Sequence, residues 1–178
     1  MGQYHNFVNL TKREFVRPHD VGDGLKLMEW SADGGMLGVM QLLLTTSAGR
    51  GGGDGWDKAK DPIVGSWAGD QVAVVGDYTE DDDLPPKFGA GSIYHRCYGT
   101  MAQRIAEERA DRTHYVGYSD ADNARRIEER VAGIRAEHAE WRKQRLPLYR
   151  DISPKVRAYL ETKGYTFAGG GWRSRNRA

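Results

Sequence analysis

A single cysteine, Cys97, stands among 178 residues, so no internal disulfide can staple this chain and no cysteine-based zinc site can form. Long apolar runs are also scarce. The longest, Met36 to Leu44, falls far short of the ~20 residues a bilayer span requires, and no charged-then-apolar leader opens the chain. The expectation is a cytosolic protein without membrane contact. Neither sign of charge dominates, with 26 Lys and Arg against 25 Asp and Glu. No internal repeat is present. A chain of this length buries about 70% of the surface its extended form exposes, so it builds a core without metal or cross-link. No cofactor and no metal are expected.

The balanced total hides an asymmetry. Residues 1–90 hold 8 Lys and Arg against 14 Asp and Glu, a net of −6, and residues 91–178 hold 18 against 11, a net of +7. Fifteen of those 18 cations are Arg. Complementarity between the halves and solvated helix faces account for such runs in most proteins. The functional alternative is an anionic partner for the second half, either nucleic acid or an acidic protein face.

The first half is written in strands and turns. Tyr4 to Leu10 and Arg13 to Arg17 predict a hairpin closed by Pro18, and Leu25 to Trp30 predicts a third strand. Met36, Leu37, Met40, Leu43 and Leu44 recur at helical spacing and predict one short buried helix. Gln71 to Val75 alternates as a further strand. Tyr78 to Gly91, with Asp81-Asp82-Asp83 and Pro85-Pro86, predicts a mobile or fully solvated stretch.

The second half is helical. Thr100 to Gln103 reads as a capping box opening a short helix through Met101 and Ile105. A long helix follows Ser119, with Ala124, Ile127, Val131, Ile134, His138 and Trp141 at steps of three and four. This stripe spans about two and a half heptads, so it either packs on its own domain or forms a homodimer seam through Ile127, Val131, Ile134 and Trp141. Ser153-Pro154 caps a last helix that ends at Lys163-Gly164. The fold class predicted is α+β, a small antiparallel sheet with one buried helix followed by a helical half. The division expected is a core over 1–91, a helical region over 92–168 and a basic flexible tail over 169–178.

The candidate chemistry centres on Gly49 to Gly55. Consecutive glycines can point backbone N–H groups into one concavity that holds an anion, with Arg50 gripping a phosphate bidentately. Arg50, Gly51, Gly52, Gly53 and Asp54, with Trp56 and Trp67 as stacking surfaces, form the predicted ligand site for an anionic small molecule such as a nucleotide. The segment matches neither phosphate-loop nor dinucleotide fingerprint, and a surface loop in which glycines meet positive φ is the plainer reading. Asp54, Asp57, Asp61, Asp70 and Asp77 either serve as turn acids or converge to hold Mg²⁺ for phosphoester hydrolysis. The five histidines form no metal motif. Cys97 is read as a buried thiol, with a nucleophile beside His95 or His114 as the alternative. Gly2 lacks the Ser or Thr at position 6 that myristoylation requires. Arg125, Arg126, Arg130 and Arg135 interleave with Glu128, Glu129, Glu137 and Glu140, the pattern of surface pairing. Only Arg173, Arg175 and Arg177 keep uncompensated charge for weak nucleic-acid or partner contact.

Met1-Gly2-Gln3-Tyr4 with Val8-Asn9-Leu10, Gly22 to Trp30, Gly49 to Asp54, Gly65 to Asp70 and Val74 to Tyr78 together resemble a family of uncharacterised proteins of bacterial and archaeal genomes, plasmids and phages. The resemblance covers about residues 1–80. It implies a mobile-element or phage protein acting in the host cytoplasm, and it carries no catalytic residues across. The leading expectation is a non-catalytic binding protein holding an anionic ligand at the Gly-rich segment. The alternatives are a host protein- or DNA-contacting protein working through its helical half and tail, and a metal-dependent phosphoester hydrolase using Asp54, Asp70 or Asp77.

Overall fold

The computed structural model describes residues 3–33, 35–47, 60–89, 91–100, 120–143, 147–167 and 172–174. Strands β1 (His5–Asn9) and β2 (Glu14–Val16) form the expected hairpin, with Phe7 opposite Val16 and Asn9 opposite Glu14. Asn9 Oδ1 accepts the Lys12 N–H at 2.8 Å, and Arg13 takes a φ of 54° to close the turn. β3 (Val72–Gly76) lies antiparallel on the other side of β1. β4 (Arg150–Asp151) adds to β2 in parallel, giving the order β3-β1-β2-β4. A second, two-stranded sheet pairs β5 (Tyr165–Phe167) with β6 (Trp172–Ser174). The fold class is α+β, as expected.

Side chains on a strand alternate between faces, and here both faces are covered, which is why all five residues of β1 are buried. Beneath one face lie α1 (Leu27–Asp33), α2 (Gly35–Leu44) and α5 (Ser153–Thr162). Phe7 and Val16 of the sheet meet Trp30, Met36, Val39, Leu43, Val156 and Leu160 there, with Trp67 filling the centre. On the other face Val8, Phe15 and Val75 meet Ile93 and Cys97 from α3, the helix over residues 91–100, and Tyr149 ahead of β4. Residues 149–160 thus contribute to both clusters.

Several local expectations change. Leu25 to Trp30 is not a strand, because α1 begins at Leu27 with Glu29 Oε2 accepting the Lys26 N–H at 2.9 Å. A carboxylate three residues into the helix that reaches back to an orphan donor favours the helix start over a strand. The stretch after Tyr78 is tied down. Asp81 Oδ1 accepts the Gly91 N–H at 2.9 Å, residues 86–88 make a 3₁₀ turn, and Leu84 and Phe88 pack on the second cluster. Thr100 opens no helix. It sits within α3, its hydroxyl donating to the Tyr149 carbonyl at 3.1 Å. Ser153 is the first residue of α5 rather than its cap: Ile152 holds the cap position, and Asp151 Oδ1, one residue earlier, accepts the Ser153 N–H at 2.9 Å. Within the expected tail, Trp172–Ser174 is paired strand. The helix expected after Ser119 is present as α4 (Asp120–Lys143), whereas the run through Met101 and Ile105 lies outside the described residues.

Candidate functional site

Of the predicted ligand site, Arg50, Gly51, Gly52, Gly53, Asp54 and Trp56 lie outside the described residues. The ground from which that segment leaves and to which it returns is described. At the C-terminal end of α2, the Leu42 carbonyl accepts the Gly65 N–H at 2.8 Å and the Leu43 carbonyl accepts the Trp67 N–H at 2.9 Å. A helix C-terminus ordinarily presents free carbonyls and partial negative charge, which repel an anion. Here the returning chain consumes two of them. Asp61, in the same return, accepts from Lys163 Nζ at 3.0 Å and from the Tyr159 hydroxyl at 3.3 Å.

Trp67 is a core residue, fully buried, with its ring centroid 5.0 Å from that of Phe7. Its indole N–H donates to Glu14 Oε2 at 2.7 Å, and Arg150 Nη2 pairs with the other oxygen of the same carboxylate. A buried carboxylate needs such partners. The ring offered as a stacking surface is therefore occupied by the protein itself.

Among the described residues the acids do not converge. Asp70 and Asp77 flank β3 at opposite ends, about 23 Å apart at strand rise. Asn9 Nδ2 donates to Asp70 at 2.7 Å and Lys12 Nζ approaches it at 2.9 Å. The Asn9 hydrogen bond and then the Lys12 cation hold the Asp70 carboxyl below the usual range against the opposing pull of burial. Gly69, just before it, adopts φ 84° with open space around it, so the turn requires glycine for its conformation rather than for room. Asp77 Oδ1 accepts the Tyr4 N–H at 3.0 Å. Among the described residues no group of three His, Cys, Asp or Glu is placed to hold a metal ion, and Asp54 and Asp57 lie outside them.

Cys97 is fully buried, and burial pushes its thiol well above the ordinary value, whereas His95 two residues away is exposed. The helix turns the two side chains apart, and a thiol held protonated is a poor nucleophile. His114 lies outside the described residues.

The most heavily used polar groups were not legible as motifs. Arg96, 2% exposed, donates to the carbonyls of Pro147 at 3.1 Å, Phe88 at 3.0 Å and Gly89 at 3.3 Å, with its guanidinium 5.0 Å from the centre of the Tyr149 ring. It ties α3 to the 86–89 turn and to the chain entering β4. Asp23, also buried, accepts the Gly24 N–H through Oδ1 and the Met36 N–H through Oδ2, each at 2.8 Å, and so caps α2. Gly22 before it takes φ 87°, and Trp30 Nε1 donates to the Gly24 carbonyl at 2.9 Å. The described parts of the signature segments, Gly22 to Trp30, Gly65 to Asp70 and Val74 to Tyr78, thus carry caps, turns and core contacts.

The helical half presents a different surface. α4 carries six Asp and Glu and six Arg and Lys over Asp120–Lys143, a net of zero. Asp122, Arg125, Arg126, Glu128, Glu129 and Arg135 are exposed, and Arg125 pairs with Asp122 at 3.6 Å. Neither the main sheet nor α1, α2 or α5 packs along it. Arg173 sits in β6, and Arg175 and Arg177 lie outside the described residues. Among the described residues no helix is long and apolar enough to cross a membrane. The chain matches no family description, no curated protein and no solved structure, so its chemistry rests on its own residues.

Proposed function

We propose that the protein is a non-catalytic binding protein that contacts another protein through α4. The observation that carries this reading is a long helix of zero net charge, with an apolar stripe in its sequence and described charged side chains in solvent, along which neither the main sheet nor α1, α2 or α5 packs. Nucleic acid is a poorer fit. Phosphate binding depends on uncompensated cations, and on α4 each cation is matched by an acid. Photo-crosslinking from position 131 in the cells that make the protein tests the reading, with exposed Glu161 of α5 as the control position. Protein adducts are expected from 131 at several times the control yield. Equal yields from both positions overturn it.

The Gly-rich segment supports a second reading, an anionic ligand held by Arg50 and the neighbouring backbone amides. It is favoured by the return of the chain onto α2, where the Leu42 and Leu43 carbonyls are already capped. A nucleotide that binds there should raise the melting temperature by about 5–10 °C at a hundredfold excess over Kd. Arg50→Ala should remove the shift. A panel of nucleotides that leaves the melt unchanged eliminates the reading.

A further inference from the structure

From the outer edge of β3 we infer that the sheet continues into a second copy of the chain, β3 pairing antiparallel with its counterpart about a two-fold axis at Ala73. This contact lies on the sheet, goes beyond the one made by α4 and does not depend on it. β3 is the outermost strand on its side of the sheet. At one end of its ladder with β1 the Leu10 N–H donates to the Gln71 carbonyl at 2.8 Å, and at the other the Asp77 N–H donates to the Tyr4 carbonyl at 3.0 Å. Such bonds recur at every second residue of an antiparallel ladder, so Ala73 and Val75 also face β1, and the N–H and C=O groups of Val72 and Val74 face outward. On that side neither residue has a hydrogen-bond partner among the described residues. The Val74 side chain beside them is 39% exposed.

Natural sheets guard an edge with lysine, proline or a bulge. β3 uses none of these. Val72–Gly76 carries no charge and no proline, and its register with β1 runs unbroken from Asn9↔Val72 to His5↔Gly76. An apolar edge of this kind is a template for another strand. The opposite edge differs, since β4 is two residues long and runs into α5.

The ends of β3 decide which strand fits. Gly76 is closed by its own turn, donating to Thr79 Oγ1 at 2.9 Å and accepting the Thr79 N–H at 3.2 Å, and the Asp70 N–H is taken by the Trp67 carbonyl at 3.0 Å. The open stretch is therefore Val72 to Val74. A second β3 set with Ala73 opposite Ala73 places Val72 opposite Val74 of the copy and Val74 opposite its Val72, and each pair exchanges both hydrogen bonds. Any slide of the register brings the engaged groups of Asp70 or Gly76 into the ladder and loses bonds. Valines then stand side by side on one face, a favourable cross-strand pairing, and the small Ala73 side chains meet at the axis on the other. Charge agrees with this register. Lys87 Nζ lies 3.5 Å from Gln71 Oε1. Gln71 falls opposite Val75 of the copy, and the copy's Asp77 is the next residue on that face, so each lysine comes within reach of a carboxylate of the other chain. A short edge makes a small interface, and a weak, concentration-dependent dimer is expected.

Sedimentation equilibrium of the full chain up to millimolar protein, with Val74→Lys and Lys87→Glu, tests this. Val74→Lys places on the edge the cation that natural edges use, and should weaken association about tenfold. Lys87→Glu sets like charges together at both symmetric contacts and should weaken it about threefold. Positions 74 and 87 are exposed, so an unchanged thermal melt confirms that the fold is intact. A dimer that neither change weakens overturns the edge as the contact. Ala73→Cys reports the register. Mild oxidation should link the two copies across the axis, where facing Cβ atoms stand about 4.5–5.5 Å apart, and buried Cys97 takes no part. Tyr78→Cys, 61% exposed and remote from the axis, should cross-link several times more slowly, and equal rates overturn the register. A monomer at millimolar protein rejects the second copy as occupant. Photo-crosslinks from position 74 to a different protein would then assign the edge to a foreign strand.

Discussion

Arg96→Met should lower the unfolding free energy by about 3 kcal/mol, read as a shift of the urea midpoint with an unchanged slope. Three carbonyls, those of Phe88, Gly89 and Pro147, lose a charged donor, and hydrogen bonds to a charged group contribute about 1.5–3 kcal/mol each before the cost of burying the cation is subtracted. Methionine keeps much of the volume and the contact with Tyr149, so the loss reports the hydrogen bonds rather than a cavity. For a chain of this length the melting temperature should fall by about 6–12 °C. Arg96→Lys should recover less than half, since one ammonium cannot span three acceptors that a planar fork reaches together. A loss below about 1 kcal/mol for Arg96→Met would show that water takes over these carbonyls at little cost.

Trp67→Ala is expected to cost about 3–5 kcal/mol, by leaving a cavity between Phe7 and α2 and removing a donor from the buried carboxylate of Glu14. Trp67→Phe separates these contributions. It retains a ring against Phe7 and gives up the indole N–H, so a smaller loss of about 1–2 kcal/mol is expected. Adding Glu14→Gln to Trp67→Phe should cost less than the two single changes combined, because both act on one carboxylate. Strict additivity in chemical denaturation would refute the coupling. Trp67→Phe should also leave any nucleotide-induced thermal shift in place, because the ring belongs to the core.

Much of this architecture was legible in short-range pattern. The β1–β2 hairpin, the strand at Val72–Gly76 and the helices α2 and α4 each follow from residues close in sequence, although α2 buries Met36, Val39, Leu42 and Leu43 and leaves Leu37 of the expected face exposed. What was not legible depended on distant partners. Leu25, Leu27 and Glu29 fit a two-residue period as well as a helix start, and the decision rests on Glu29 reaching back to Lys26. α3 shows Ile93, Cys97 and the partly buried Tyr94 as its apolar signals, and its other anchor is a buried arginine, a residue type that pattern reading assigns to solvent. β4 is two residues long and exists because β2 offers an edge, so nothing in Arg150-Asp151 announces it. The candidate site suffered in the same way. Glycine, tryptophan and aspartate were read as ligand-binding types, yet Trp67, Asp70 and Asp77 are engaged by Glu14, Asn9 with Lys12, and the Tyr4 amide.

The parallel pairing of β2 with β4 spans more than 130 residues, and Ser153 Oγ accepts the Arg17 N–H across the same distance. During vectorial synthesis the hairpin therefore leaves the ribosome with one edge bare and both apolar faces waiting for α3 and α5. Closure comes only when residues near 160 clear the exit tunnel, and until then the bare edge and apolar faces stand open to wrong pairings.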